Sequence, residues 1–220
     1  MTDRLSNRQI EAAGLADWRH VLGTMKARFK TGGFATGLGL VDRIGSAAEE
    51  ADHHPDISLT YCEVLVTLSS HDVGGVTQRD VDLARTISGY AAEVGAEADV
   101  AGLTQLEIGL DTRAGERLAP FYAALLGGGV KDGEAVDPSG QVPTLWWQEP
   151  HDRGPALPEP EVPQRWHFDV WVPADEAEHR LRQVLESGGT LVSDAAAPSY
   201  WVVADAEGNR SCICSVAERD

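Results

Sequence analysis

The first half of the chain switches between helical spacing of apolar residues and strict alternation of apolar with polar residues. Ser6 and Gln9 form a capping-box pattern that predicts a short first helix. From Phe34 onward, helical spacing predicts a second helix of about five turns, which Pro55 should stop. Thr77 predicts the N-cap of a third helix. Strands are predicted in pairs before and after the second helix, at 16–21, 25–31, 57–61 and 63–69.

A strand–helix–strands pattern occurs twice in the second half, about 60 residues apart, and indicates an internal repeat. Each predicted helix is amphipathic and ends before a run of glycines, at 127–129 in the first copy and 188–189 in the second. Five prolines in the segment 149–164 indicate a linker between the copies. The strands are predicted at 106–112 and 144–148 in the first copy and at 166–173, 189–194, 199–205 and 211–216 in the second.

Small and polar residues with two glycines fill the segment 92–104, where we expect a domain boundary. The predicted domains are 1–97 and 104–220. The predicted fold class is α+β.

Composition limits the classes of function. Of 220 residues, 18 are Lys or Arg and 35 are Asp or Glu, which gives a formal net charge of −17. A chain this acidic is not expected to bind nucleic acid or an anionic membrane as its main partner. It has no apolar run near the roughly 18 residues of a membrane helix. Its first residues lack an apolar signal segment, and three cysteines make a poor disulfide framework. We therefore expect a cytoplasmic protein with reduced thiols.

His53, His54 and His71 form the most distinctive chemical pattern in the chain. Histidine can give and take protons near neutral pH, so the cluster is suited to acid/base catalysis. The alternative is that His53 and His54 only cap a helix and His71 is a solvated turn residue. A zinc site is less favoured, since adjacent histidines cannot easily point both rings at one metal.

The segment EEADHHPDISLTYCEVLVTLSSHDVGGVTQRDVDLARTI at 49–87 resembles the bacterial pterin-4a-carbinolamine dehydratases. Its HHPDI segment and its S-H-D-x-G-G-x-T turn stand at the family's separation. The resemblance covers about residues 4–95, including Trp18 and the stretch from Arg28 to Phe34. It implies a four-stranded antiparallel sheet with helices on one face, and homo-oligomers such as dimers or tetramers.

The resemblance also implies a reaction and a set of residues. The family removes water from a small-molecule pterin substrate, 4a-hydroxytetrahydropterin, and gives quinonoid dihydropterin without metal or organic cofactor. By the family pattern, His53, His54 and His71 are the acid/base set. Arg79 and Asp80 match positions near the site, although a helix pair facing solvent would explain them equally well. The other implied site residues support the histidines, bind the pterin or line the pocket: Glu49, Asp52, Pro55, Ser70, Asp72 and Trp18.

The second half resembles the glyoxalase/bleomycin-resistance superfamily, also called vicinal oxygen chelate proteins, through RWHFDVWVP at 165–173 and WVVADAEGNRSC at 201–212. This implies paired βαβββ modules. Metal-using members take ligands from the first strand of each module and from a later strand, and His167 stands at one such position. The equivalent position in the first module falls near Leu106, which cannot bind metal, and Glu107 would serve only with a slipped register. Cys212 or Cys214 stands where a glutamate is usual. We therefore expect no bound metal.

Three functions remain open at this point. The first is a pterin dehydratase fused to a glyoxalase-like domain that binds a small molecule. The second is a non-catalytic binding protein in which the dehydratase half is a scaffold. The third is an independent metalloenzyme in the C-terminal half.

Overall fold

The structure is a computed structural model that describes residues 3–149, 167–215 and 217. Most of the predicted linker and the start of the strand predicted from Trp166 lie outside the described residues. The contacts divide the chain into two compact units, Met1–Gln105 and Leu106–Asp220. In the described parts of the chain, every helix is too short or too polar to cross a membrane.

The described part of the N-terminal unit has one antiparallel sheet, three α-helices and a short 3₁₀ helix at Val100–Gly102. Its strands lie in the order β1–β2–β4–β3, and β5 pairs with Phe29 and Lys30 at the end of β2, beyond the residues that pair with β1. The predicted order of helices and strands is confirmed. The fifth strand was not predicted, because two residues are too few to show an alternating pattern. The elements are α1 (Asn7–Ala12), β1 (Arg19–Val21), β2 (Thr24–Lys30), α2 (Phe34–Ala51), β3 (Asp56–Thr60), β4 (Glu63–Leu68), α3 (Gln78–Glu93) and β5 (Glu97–Ala98).

One face of this sheet carries the core. The β2–β4 register places Met25 opposite Leu68 and Phe29 opposite Val64, so these side chains lie on the same face. The apolar faces of α2 and α3 cover that face, and the cluster is fully buried at Leu40, Ile44, Ala84 and Ile87. Burying each such Leu, Ile or Phe side chain stabilises the fold by about 1.5–3 kcal/mol. This packing fixes the C-terminus of α2 beside the N-terminus of α3, where the histidines lie.

The C-terminal unit contains two modules of the same topology, which confirms the internal repeat. The sheets have the orders β6–β9–β8–β7 and β10–β13–β12–β11, and in each the first strand pairs parallel with the last. The first module is β6 (Ile108–Asp111), α4 (Gly115–Leu126), β7 (Gly129–Lys131), β8 (Glu134–Val136) and β9 (Leu145–Gln148). The second is β10 (Asp169–Trp171), α5 (Ala177–Glu186), β11 (Thr190–Ala196), β12 (Tyr200–Ala204) and β13 (Arg210–Cys214). The β7–β8 hairpin was not predicted, because β7 is exposed throughout and shows no alternation.

Helices α4 and α5 and strands of both modules share one core, which includes Phe121, Leu125, Val184 and Ile213. Beside it, the Tyr122 hydroxyl donates to Asp205 Oδ2 at 3.0 Å. Burial, together with the Asp205 carboxylate, raises the pKa of Tyr122 well above its ordinary value.

Candidate functional site

The end of α2 turns two adjacent histidines in opposite directions. Asp52 ends the helix in the left-handed conformation, with φ 45°, and His53 N then donates to Ala48 O at 3.1 Å. This reversal buries His53, which is 6% exposed, and leaves His54 on the surface. Since Pro55 follows and disfavours helical geometry at His54, the chain leaves toward β3 immediately.

The turn that follows β4 buries Ser70, whose hydroxyl also belongs to the candidate site. Ser70 N donates to Gly75 O at 2.9 Å and Gly74 N donates to Ser70 O at 2.9 Å, so the turn closes on itself. Gly74 has φ +69°, a conformation that favours glycine. Ser70 is 1% exposed, whereas His71 and Asp72 lie on the surface at the tip of the turn.

Asp80 joins these two segments. It is the third residue of α3, forms a capping box with Thr77, and is completely buried. His53 Nε2 lies 2.7 Å from its Oδ1. Its Oδ2 accepts from Ser70 Oγ at 2.8 Å and from Thr77 N at 2.7 Å. The solvent-facing alternative is therefore wrong for Asp80, and a buried carboxylate fixes the ring of His53.

Arg79 lies beside this pair and carries an unused donor. Its Nη2 is 2.5 Å from Asp72 Oδ1, and this hydrogen bond lowers the pKa of Asp72 below its ordinary value. Its Nε is buried and has no hydrogen-bond partner among the described residues. Arg79 and His53 both line a cleft of about 380 Å³ between α2 and α3, together with Glu50 and Tyr90. A volume of this size accommodates a small bicyclic molecule.

The structure places the remaining predicted residues around or away from this cleft. His54 Nε2 lies 3.1 Å from Glu49 Oε1 on the surface, and Asp52 is exposed while Pro55 is half-buried. Trp18 is 3% exposed and donates from Nε1 to Ser88 Oγ at 3.0 Å. It lines a different cleft, of about 660 Å³, with Arg19, His20 and Met25. The substrate contacts predicted for these residues stay predictions.

A second polar cluster lies in the C-terminal unit. His167 Nε2 lies 3.3 Å from Asp169 Oδ1, and Asp169 stands directly opposite Cys212 in the β10–β13 ladder. Burial, and then the Asp169 carboxylate, raise the pKa of the Cys212 thiol to about 11. Asp169 was not singled out in the sequence, although its place two residues after His167 puts both on one face of a strand.

The first module offers no such cluster among its described residues. Ile108 and Leu110 pack against the core, while Leu106 is 62% exposed before the strand begins. Because side chains alternate along a strand, Glu107 and Gly109 lie on the opposite face from Ile108 and Leu110.

Comparison with known proteins matches both units to family models. Residues 3–90 match the model described as pterin 4 alpha carbinolamine dehydratase, and residues 107–214 match a glyoxalase-like domain. The chain is 43% identical over 93 residues to a protein of Thermosynechococcus vestitus named "Putative pterin-4-alpha-carbinolamine dehydratase", covering 41% of this chain and 98% of that protein. A protein of Nocardia farcinica with the same name is 42% identical over 92 residues, covering 41% of this chain and 97% of the relative.

Among solved structures, a transcriptional coactivator/pterin dehydratase from Brucella melitensis is 32% identical, with a TM-score of 0.40, and the match covers 40% of this chain and 99% of that one. The relatives thus match the N-terminal unit over nearly their whole length, and the two family models lie one after the other along this chain. The chain belongs to the pterin-4a-carbinolamine dehydratase family through its N-terminal unit, and a glyoxalase-like domain follows that unit.

Proposed function

We propose that the N-terminal unit dehydrates 4a-hydroxytetrahydropterin to quinonoid dihydropterin. The observation that carries this proposal is the buried His53–Asp80 pair at the wall of a cleft, in a chain of the pterin dehydratase family. A histidine held by a buried carboxylate has a fixed ring orientation, as proton transfer to a bound substrate requires.

The reaction needs one acid and one base. The C4a–O bond breaks as the departing hydroxyl takes a proton and leaves as water. A ring nitrogen gives up a proton, and its electron pair forms the new C=N bond. One proton enters and one leaves, so the reaction is balanced without oxidant, reductant or cofactor. His53, His54 and His71 are the proposed acid/base set for these two transfers.

Arg79 is the proposed donor that orients the ring. The pterin carries a carbonyl oxygen and ring nitrogens that accept hydrogen bonds, and the unpartnered Nε of Arg79 lies at the same cleft as His53. A buried N–H without a partner costs free energy, about 1–3 kcal/mol, which a bound acceptor atom would recover. Glu49, Asp52, Pro55, Ser70, Asp72 and Trp18 complete the proposed site as supporting or lining residues.

The test is a dehydratase assay in which an aromatic amino acid hydroxylase generates the 4a-hydroxy substrate and absorbance follows quinonoid dihydropterin. We expect the wild-type chain to accelerate the reaction and His53→Gln, His54→Ala and His71→Ala to lose about 100-fold or more of that acceleration. His179→Ala, an exposed histidine on α5 of the other unit, is the control and should keep full activity. A folded wild-type chain without acceleration would refute the proposal and favour a binding protein on a dehydratase scaffold.

A further inference from the structure

Residues 97–105 lie between the two matched family models, and the proposed dehydration uses none of them. We name them the strap, because they run beside β2 and contact its outward face. We propose that the strap masks a binding site for a small molecule with two or three linked phosphate groups, and that such a ligand displaces the strap from three cationic side chains of β2. This inference is independent of the dehydratase proposal.

Strand β2 carries its cations on one face. Because side chains alternate along a strand, Lys26, Arg28 and Lys30 point away from the buried core, at steps of about 6.6–6.8 Å. Arg19 stands directly opposite Lys26 in the β1–β2 ladder and therefore belongs to the same face. In a chain with a net charge of −17, this face is a local concentration of positive charge.

The strap brings one carboxylate to these cations. Asp99 Oδ2 lies 3.0 Å from Lys30 Nζ and 3.8 Å from Arg28 Nη1. Its Oδ1 accepts from Gly102 N at 3.1 Å, so the 3₁₀ helix of the strap fixes the carboxylate in place. The hydrogen bond from Lys30 lowers the pKa of Asp99 below its ordinary value. The chain itself therefore supplies an anion to this face.

Two neutral oxygen atoms of the strap meet the other donors. Arg28 Nη1 also donates to Gly102 O at 3.2 Å, and Lys26 Nζ donates to Gln105 Oε1. Lys26 is only 9% exposed, and this burial lowers the pKa of its ammonium group, an effect that the Asp56 carboxylate offsets only in part. Hydrogen bonds between two charged groups are stronger than those to a neutral amide, so Lys26 gains from exchanging Gln105 for phosphate.

The remaining attachment of the strap to β2 is slight among the described residues. Strand β5 contributes a ladder of only two residue pairs, and Asp99 N donates to Arg28 O at 2.7 Å. The side chain of Lys30 is 56% exposed, so an anion from solvent can reach it while the strap is still in place. A ligand can therefore replace the strap step by step, beginning at Lys30.

The spacing and type of the cations favour linked phosphates over a single anion. Arginine binds phosphate through its planar fork, and lysine binds it as a point charge on a flexible stem. Arg28 Nη2 lies 2.6 Å from Glu63 Oε1, which keeps the guanidinium oriented with Nη1 toward the strap. One chloride or carboxylate neutralises one cation, whereas a chain of phosphates carries several charges and spans neighbouring cations.

The experiment uses the full chain and tripolyphosphate as the probe, in buffer without divalent metal. Isothermal titration gives the affinity, and hydrogen exchange read by mass spectrometry gives the protection of the strap amides. Sodium chloride at equal ionic strength separates binding from screening. The variants are Lys30→Gln, which removes the most exposed of the three cations, and Asp99→Asn, which weakens the competing strap. The matched controls are Arg8→Gln and Asp42→Asn, exposed charges on α1 and α2.

We expect one equivalent of tripolyphosphate to bind and to lower the protection of the strap, and sodium chloride to lower it much less. Lys30→Gln should bind about tenfold more weakly, since it loses one hydrogen bond between charged groups. Asp99→Asn should bind about three- to tenfold more tightly, because the ligand then displaces a weaker competitor. Both controls should stay within about twofold of wild type, as expected for exposed charges away from the site.

Three results would overturn the proposal. The first is equal loss of protection in sodium chloride without heat of binding, which would mean that the strap yields to screening alone. The second is binding of tripolyphosphate while the strap stays protected, which would place the anion elsewhere on the chain. The third is an affinity unchanged by Lys30→Gln, or not increased by Asp99→Asn.

Discussion

Asp80→Asn tests the buried contact between Asp80 and His53. The Asp80 carboxylate accepts at both oxygens, from His53 Nε2 on one side and from Ser70 Oγ and Thr77 N on the other. A carboxylate only accepts, so it fixes the hydrogen of His53 on Nε2. In the proposed reaction, Nδ1 is then the nitrogen that exchanges a proton with the substrate. In the variant, the amide oxygen must serve Ser70 and Thr77, and the NH₂ group then faces Nε2. The His53 hydrogen moves to Nδ1, so the nitrogen offered to the substrate has the wrong protonation.

The magnitude follows from these contacts. Three hydrogen bonds to a charge become neutral ones, a loss of about 1 kcal/mol each, partly offset because a buried charge disappears. We expect a loss of unfolding free energy of about 1–3 kcal/mol, small enough for a domain of ordinary stability to stay folded. The rate should fall by about 100- to 10,000-fold, the range of acid/base catalysis by one group. KM should change much less, because Asp80 is buried behind His53.

The assay combines turnover with a direct reading of the tautomer. The dehydratase assay gives kcat and KM, and nitrogen NMR of the imidazole ring shows which nitrogen of His53 carries the hydrogen. Glu93→Gln is the matched control, since Glu93 is the last residue of α3, its side chain is 65% exposed, and it does not line the cleft of His53. The reasoning fails if Asp80→Asn is folded and keeps kcat within about threefold of wild type, or if its His53 tautomer is unchanged.

Arg79→Lys removes the Nε donor and should raise KM about tenfold with kcat nearly constant in the dehydratase assay. Arg85→Lys, on the exposed side of α3, is its control and should leave both constants unchanged. The folded-state pKa of Tyr122 lies above the ordinary value of 10.0, so the unfolded chain releases this proton first and stability should fall as pH rises past about 10. Chemical denaturation of the C-terminal unit should show this fall in wild type and not in Tyr122→Phe; an equal fall in both would exclude the tyrosine as its cause. Gly128→Ala places a Cβ 2.1 Å from a backbone carbonyl oxygen of β8 and should lower the free energy of unfolding by more than about 2 kcal/mol. In Gly129→Ala the new Cβ meets nothing within 4 Å, so the same denaturation should show a loss under about 1 kcal/mol. Equal losses in the two glycine variants would show that the contact with β8 relaxes.

The sequence predicts the long elements because their patterns extend over many residues. Helices α2 and α3 carry apolar residues at helical spacing over several turns, and the strands of the N-terminal core alternate clearly. Short exposed elements such as β5 and β7 contain too few residues to show a period.

The site was predictable as a set of residues, but its geometry was not. The adjacent histidines are visible in the sequence, yet the left-handed Asp52 that buries His53 and exposes His54 is a property of the backbone. The capping-box pattern from Thr77 to Asp80 indicates a helix start, whereas the position of that start beside His53 depends on tertiary packing. The neighbourhood of Asp169 is likewise set by tertiary packing, because its partner Cys212 lies on a distant part of the chain.

The repeated topology of the C-terminal unit also sets the order in which it can fold. In each module the last strand lies between the first strand and the hairpin partner, so β13 separates β10 from β12. Strand β10 has no partner in its sheet until β13 has been synthesised, about 40 residues later, and a delay of this kind slows folding. Until then β12 offers an open edge on which other chains can pair. On a ribosome, the second module therefore completes its sheet only after β13 has emerged, whereas the neighbouring strands β3 and β4 of the N-terminal unit can pair as soon as they are made.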